Sequence, residues 1–345
     1  MRGYKLDSAP GREIIIDKEA YLYFGGTSYL GLQTCVNFQD ILIDAIKTYG
    51  TNHGASRKAN IQFGVYDAAE KLLSVNCKAE QAVTLSSGFL VGQLVARYFN
   101  TDNYECYYAP KTHTALHLSD SFNHPNYDQL VEAIKYSAKT PVIFCDSIDF
   151  YGANYPDFKW LDRIDLTNTI LVVDDSHGIG LLGDNGEGIY HYLSHLRVKE
   201  LVVCASLGKG FGLQGGVILG KEKTINEIKK SDWYAGSSPI SPAFMATYIN
   251  AQVIYKERLQ KLKNHIQLFK DELIRTSMFR YMPNYPTYSF QDEGLINHLY
   301  ESRVIITNFQ YPNEHAPTVH RIVLSAHHTT NDIKKITAII NDYYG

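Results

Sequence analysis

The chain predicts an α/β fold built on a mostly parallel sheet, and three observations carry that prediction. Short apolar, β-branched runs recur along the sequence, separated by stretches with helical spacing, which is the pattern of βαβ units. One run, Thr169-Ile170-Leu171-Val172-Val173-Asp174, is apolar without alternation, as befits a strand covered on both faces, and it empties into Asp175-Ser176-His177-Gly178. A second, Leu201 to Cys204, leads into Ser206-Leu207-Gly208-Lys209-Gly210-Phe211-Gly212, where one lysine sits between glycines. In an open α/β sheet, ligands bind beyond the carboxyl ends of the strands, so both strings are candidate site segments.

Taken in order, Glu13 to Ile16 and Tyr21 to Phe24 read as two short strands joined by a turn at Asp17-Lys18. A loop over 25–32 precedes a helix from Phe38 to Tyr49, and the small, polar 49–57 stretch is loop-like. A helix from about Tyr66 to Val75 leads to a strand, Ala82 to Leu85, then Ser86-Ser87-Gly88-Phe89 and a helix to Tyr98. Glu105 to Ala109 and Pro141 to Cys145 are strands flanking a helix from Asp128 to Tyr136. Ser241-Pro242 reads as an N-cap with proline at the first helical position, opening a long helix to about Tyr255 that continues as Glu257 to Thr276. Strands near Thr287 to Phe290, Ile305-Ile306 and Arg321 to Leu324, with helices at Gly294 to Glu301 and Asn331 to Tyr343, complete a smaller α+β region. The expected organisation is an N-terminal arm over 1–35, a large domain over 36–240, and a linker helix with a small domain over 241–345.

With 345 residues, 45% hydrophobic and 20% charged, the composition is that of an ordinary globular protein. A net charge of −3 argues against nucleic acid, and the sequence holds neither a basic amphipathic stretch nor an apolar run of membrane-spanning length. The five cysteines are scattered without CxxC spacing, which fits free thiols in a reducing compartment and predicts a cytoplasmic protein.

Three readings compete for the lysine loop. One is a plain glycine-rich connection with a solvated lysine. Another is dinucleotide binding, since Gly210 to Gly215 spells G-x-G-x-x-G; that motif needs a helix to open there, and Val217-Ile218-Leu219 is too short and too β-branched to be one. The third is a lysine desolvated for attack on a cofactor aldehyde. Ser-Ser-Gly between a strand and a helix offers backbone N–H groups at a positive dipole end, a seat for phosphate, although taken alone a simple N-cap at Ser86 or Ser87 is the commoner reading. Asp174, at a strand end, is placed to meet a ring nitrogen as a carboxylate, with His177 three residues on; Asp175 and Ser176 read as turn caps. Metal binding by Asp174, Asp175 and His177 is disfavoured because no further Cys/His cluster lies nearby.

Together these strings resemble the pyridoxal-phosphate (PLP) enzymes of fold type I, and more closely the α-oxoamine synthases. The similarity runs through SYLGL at 28–32, YGTNHGASR at 49–57, SSGF at 86–89, VVDDSHGIGLLG at 172–183, SLGKGFG at 206–212 and the segment around Arg321 to His328. The resemblance implies a large doubly wound domain with a smaller α+β domain, the cofactor pyridoxal 5'-phosphate, and a homodimer with shared active sites. It implies Lys209 as the Schiff-base lysine, Asp174 on the pyridinium nitrogen, His177 on the ring oxygen and His113 stacked on the ring. Ser87, Gly88, Phe89 and Ser206 would hold the phosphate, Ser238 would reach the neighbouring subunit's phosphate, and Arg321 would grip the substrate carboxylate. The expected activity is condensation of a small amino acid with an acyl thioester; the alternatives are an aminotransferase, a condensation with a non-CoA partner, or a PLP-binding protein without turnover. The sequence departs from the family pattern at Thr27, Ile61, Tyr66 and Asp149, on the side facing the substrates, so the resemblance leaves the amino acid and the acyl donor open.

Overall fold

The computed structural model describes residues 3–118, 121, 123–311 and 313–345. These form β1 (Glu13–Ile16), β2 (Glu19–Phe24), α1 (Val36–Tyr49), α2 (Val65–Cys77), β3 (Gln81–Leu85), α3 (Gly88–Phe99), β4 (Tyr104–Tyr108), α4 (Tyr127–Lys135), β5 (Thr140–Asp146) and β6 (Ile170–Asp174). There follow α5 (Ile189–Leu193), β7 (Glu200–Ser206), β8 (Gly216–Gly220), α6 (Glu222–Lys230), α7 (Asp232–Gly236), α8 (Pro242–Asn250), α9 (Gln252–Glu272), β9 (Arg280–Tyr281), β10 (Thr287–Ser289), α10 (Glu293–Glu301), β11 (Val304–Gln310), β12 (Thr318–Val323) and α11 (Thr330–Tyr344). Two compact units emerge: one spans Asp40–Gln252, the other joins Met1–Gln39 to Val253–Gly345.

The contiguous unit carries a six-stranded sheet in the order β3-β8-β7-β6-β5-β4. Strands β4, β5, β6 and β7 run parallel, whereas β8 is antiparallel to both its neighbours. Helix α3 lays Val91, Leu94, Val95 and Phe99 against Val142 and Phe144 of β5, Ile170 and Val172 of β6, and Val202 and Cys204 of β7. Burial of each large side chain there contributes roughly 1.5–3 kcal/mol relative to exposure. Strand side chains alternate between faces, so this face ends, two residues on, in Asp146, Asp174 and Ser206. The strand tips that follow an apolar core are therefore polar, side by side, and on the helix face.

Elsewhere in this unit Arg57 forms a buried two-pronged pair with Glu70 (2.7 and 3.2 Å), which also accepts from the Thr84 backbone N–H and hydroxyl. Tyr66 lies under the Arg57 guanidinium at 4.1 Å and donates to the Ile240 carbonyl.

The second unit has its own sheet, β1-β2-β11-β12-β10-β9, antiparallel except where β2 meets β11 in parallel. Phe24 stacks on His328 (3.9 Å between centroids) and Phe269 of α9 packs on Tyr288. Helix α11 opens with a reciprocal capping box between Thr329 and Asp332, and Arg12 grips the same carboxylate at 2.6 and 2.7 Å.

The expected helix from Ser241 ends earlier than its periodicity suggests: α8 stops at Asn250, Ala251 caps it, and α9 starts at Gln252. Ser241 does precede Pro242 at the helix start, but its side chain makes no cap hydrogen bond. No helix opens in the Gly210–Gly215 stretch; it is a loop returning into β8, in line with the sequence argument against dinucleotide binding.

Candidate active site

Asp174 ends β6 and is 7% exposed; its carboxylate accepts from the backbone N–H of Ser176 at 2.8 Å, which folds the turn back over the strand tip. The turn brings His177 round so that its Nε2 stands 3.1 Å from Lys209 Nζ. Lys209 follows β7, and the loop that holds it is closed by Leu213 N–H donating to the Leu207 carbonyl and Leu207 N–H donating to the Gly215 carbonyl. Burial lowers the Lys209 pKa, while the charges of Asp174 and Asp146 oppose the shift. The amine is thus drawn towards its neutral, nucleophilic form, with the carboxyl groups of Asp174 and Asp146 within electrostatic reach.

Ser206, at the β7 tip, donates its N–H to Ser176 Oγ at 2.8 Å, and its own Oγ accepts from Gly208 at 3.2 Å. Helix α3 begins against it: a Cβ on Gly88 would fall 2.6 Å from Ser206 Cβ, so only glycine lets helix and strand tip approach this closely. Ser87 caps α3, its Oγ accepting from Leu90 at 3.1 Å. The N-cap reading therefore holds for Ser87, while the N–H groups of Gly88 and Phe89 lie in the first turn, which has no intrahelical acceptors for them. The Ser238 carbonyl accepts from the Ser86 N–H at 3.1 Å, beside the same helix mouth, and the Ser238 side chain is exposed.

His113 arrives from the segment after β4; its Nδ1 accepts from Ala115 at 3.2 Å and its backbone N–H donates to Asp146 at 3.1 Å. Burial lowers the His113 pKa, so the ring is drawn towards its neutral form. His113, Asp174, His177, Ser206, Lys209 and the α3 terminus all belong to the contiguous unit. Arg321 lies on β12 of the other unit, in register with Thr307 and Ser289. Thr27 and Ile61 are exposed, Tyr66 is buried under Arg57, and Asp149 is committed to a turn, accepting from the N–H groups of Tyr151, Gly152 and Ala153.

Two neighbours of the site were not foreseen in the sequence. Phe150 meets the His177 ring edge-on at 4.9 Å, and Asp146 underlies His113. Both lie in the stretch around Asp149 where the sequence departs from the family pattern, which gave neither a role; the signal for Asp146 was its place just beyond the strand expected to end at Cys145.

A desolvated amine, a carboxylate at a strand tip, an imidazole beside the amine and a helix mouth that tolerates no side chain make up the donor set an aldehyde-bearing, phosphorylated pyridine requires. The fold and this set define a pyridoxal-phosphate enzyme of fold type I. Residues 104–340 match the family described as aminotransferase class I and II, and the chain belongs to that family, which makes it a PLP-dependent transferase. It is 28% identical over 284 residues to the 8-amino-7-oxononanoate synthase of Thermosipho melanesiensis, covering 78% of this chain and 72% of the relative. The enzyme of the same name from Petrotoga mobilis is 25% identical over 354 residues, covering 95% and 89%. Among solved structures, the Sphingomonas wittichii serine palmitoyltransferase superposes with a TM-score of 0.80 at 16% identity, over 98% of this chain and 91% of that one. The 8-amino-7-oxononanoate synthase of Francisella tularensis gives 0.71 at 19% identity, over 94% and 98%.

Proposed function

We propose that this chain is an acyltransferase that condenses a small amino acid with an acyl thioester, in the manner of the 8-amino-7-oxononanoate synthases it resembles. The observation that carries the proposal is the 3.1 Å approach of Lys209 Nζ to His177 beside the Asp174 strand tip, within this family's fold. When bound, pyridoxal phosphate supplies the electron sink that makes an amino acid's α-carbon nucleophilic. Lys209 would bind the cofactor's carbon at Nζ, yield it to the incoming amino acid, and then take and return the α-proton. Asp174 would hold the ring nitrogen as a carboxylate and His177 would orient the ring oxygen. His113 would cover one ring face, while Gly88, Phe89, Ser87 and Ser206 would hold the phosphate. Arg321 suits a substrate carboxylate by its planar pair of donors.

Ser238 would complete the phosphate site of a neighbouring subunit, which requires a homodimer. A cytoplasmic location accords with the five free cysteines and with the fact that no described helix is long and apolar enough to cross a membrane.

The test is to load the chain with PLP and offer glycine, L-alanine or L-serine with a series of acyl-CoA thioesters while following thiol release. Release that depends on both substrates is the expected result. If no combination releases thiol, the proposal fails; a 2-oxo acid formed without thiol release would make the chain an aminotransferase.

A further inference from the structure

Asp146 ends β5 as Asp174 ends β6, and the two residues are register partners in a parallel pair. Partners in such a pair project to the same face, and this is the face that carries Phe144 and Val172 against α3. Two carboxyl groups therefore share one strand-end position, with a single buried ammonium, Lys209, nearby. Both cannot carry charge at no cost in so desolvated a setting. The Asp146 pKa is pushed well up, by burial first and by Asp174 next, against the smaller downward pulls of the His113 N–H and Lys209, with Asp149 adding to the rise. One oxygen of Asp146 is already engaged by the backbone N–H of His113 at 3.1 Å. The carbonyl of the same residue accepts from the Asn154 side chain at 2.6 Å, and the next residue, Ser147, donates to Asp175 at 2.6 Å, so the strand end is tied down on both sides.

We propose that Asp146 is a positioning residue which, as a neutral carboxylic acid, anchors the backbone of His113 and leaves the negative charge of the strand-tip pair to Asp174. The inference rests on the PLP reading above. It makes the acid's role that of a hydrogen-bond acceptor, which an amide can fill and a methyl group cannot.

Three readouts on the PLP-loaded protein test it: PLP affinity, the visible circular dichroism of the bound cofactor, and the pH dependence of its absorbance. Asp146→Ala should lose much of the visible dichroism, because the His113 segment is no longer fixed, while far-UV dichroism shows the chain still folded. Asp146→Asn should restore the signal, since its Oδ1 still accepts from His113. Because the acid is already neutral, the wild type and Asp146→Asn should share one absorbance midpoint, whereas removing a negative charge from an ionised Asp146 would displace it. The proposal is overturned if Asp146→Asn is as impaired as Asp146→Ala, or if Asp146→Ala matches the wild type. Should Asp146→Ala not fold, a midpoint displaced in Asp146→Asn overturns it equally. A wild type that takes up no PLP fails at the earlier reading and takes this one with it, whereas a normal wild-type spectrum with unaffected variants fails this one alone.

Discussion

Burial draws Lys209 towards the free amine and the Asp174 carboxylate opposes it; attack on an aldehyde needs the free amine. Lys209→Ala should accordingly abolish the visible absorbance of added PLP while leaving far-UV dichroism intact, and a variant keeping the wild-type band would show that the amine is not the attachment point. A second titrating residue serves stability alone. Burial raises the pKa of Asp332, but hydrogen bonds from Arg12 and Thr329 outweigh it and hold the carboxyl at about 2. Its folded value lies below its unfolded one, so its stabilisation is complete above pH ~4 and is lost as pH falls through about 2. Asp332→Asn should cost on the order of 1–2 kcal/mol at pH 7, with the gap to wild type closing in melts taken between pH 4 and 2. The sequence could be read at this scale wherever a residue sits in a short string of unusual composition, as Lys209, Asp174 and His177 do. Asp146 escaped because the segment it opens departs from the family string; its place depends on strand register, which forms only when β5 and β6 pair.

Element positions and a mostly parallel sheet were legible from the alternation of apolar runs and helical stretches, but the direction of β8 was not. Nothing in Val217 to Leu219 announces that β8 runs antiparallel to β7, because both faces of the strand are buried and its composition matches that of its parallel neighbours. The short helices α5 and α7, five residues each, likewise lack room for a periodic signal. The string ending in Arg57 read as part of a family signature; the structure gives that arginine a buried partner, Glu70, which ties α2 to β3 through Thr84. Removing one member of such a pair strands the other's charge, so Arg57→Ala should lower stability by about 3 kcal/mol or more in denaturant melts. A loss within the error of the melt would mean the pair is solvated. The meeting of α3 with β7 is more exacting still. Gly88→Ala would put a methyl group 2.6 Å from Ser206 Cβ and 2.8 Å from its Cα, and backbone cannot step aside as a flexible side-chain end can. Such overpacking costs roughly 1–3 kcal/mol, and it should weaken PLP binding in a fluorescence titration by about tenfold. Unchanged affinity would remove the α3 mouth from the phosphate site.

The two units hold their buried acids and bases in opposite ways. In the unit joining the chain ends, burial lowers His327 to about 4 and His328 to about 3, and lowers His265 as well. These rings fold neutral, so their contribution weakens as pH falls below about 6.5, where the unfolded chain binds protons first. In the contiguous unit, burial raises Asp175 to about 7 and raises Asp146, so the folded form binds protons more tightly there; stability from these groups grows as pH falls, with His113 working against it. Hydrogen exchange corrected for intrinsic rates, compared at pH 7 and pH 5, should therefore show protection falling in residues 253–345 relative to 40–252. The reverse order would contradict this account of the buried histidines. That β2 pairs with β11, Leu22 against Val304, has a further consequence during synthesis. Every strand of the β3–β8 sheet lies within Asp40–Gln252, so that sheet has all its pieces once this stretch has left the ribosome. β2 has β1 on one side from the start, but its other edge must wait for a strand translated almost at the end, and a nascent chain stalled before Val304 should expose β2 to protease while the β3–β8 sheet is already resistant.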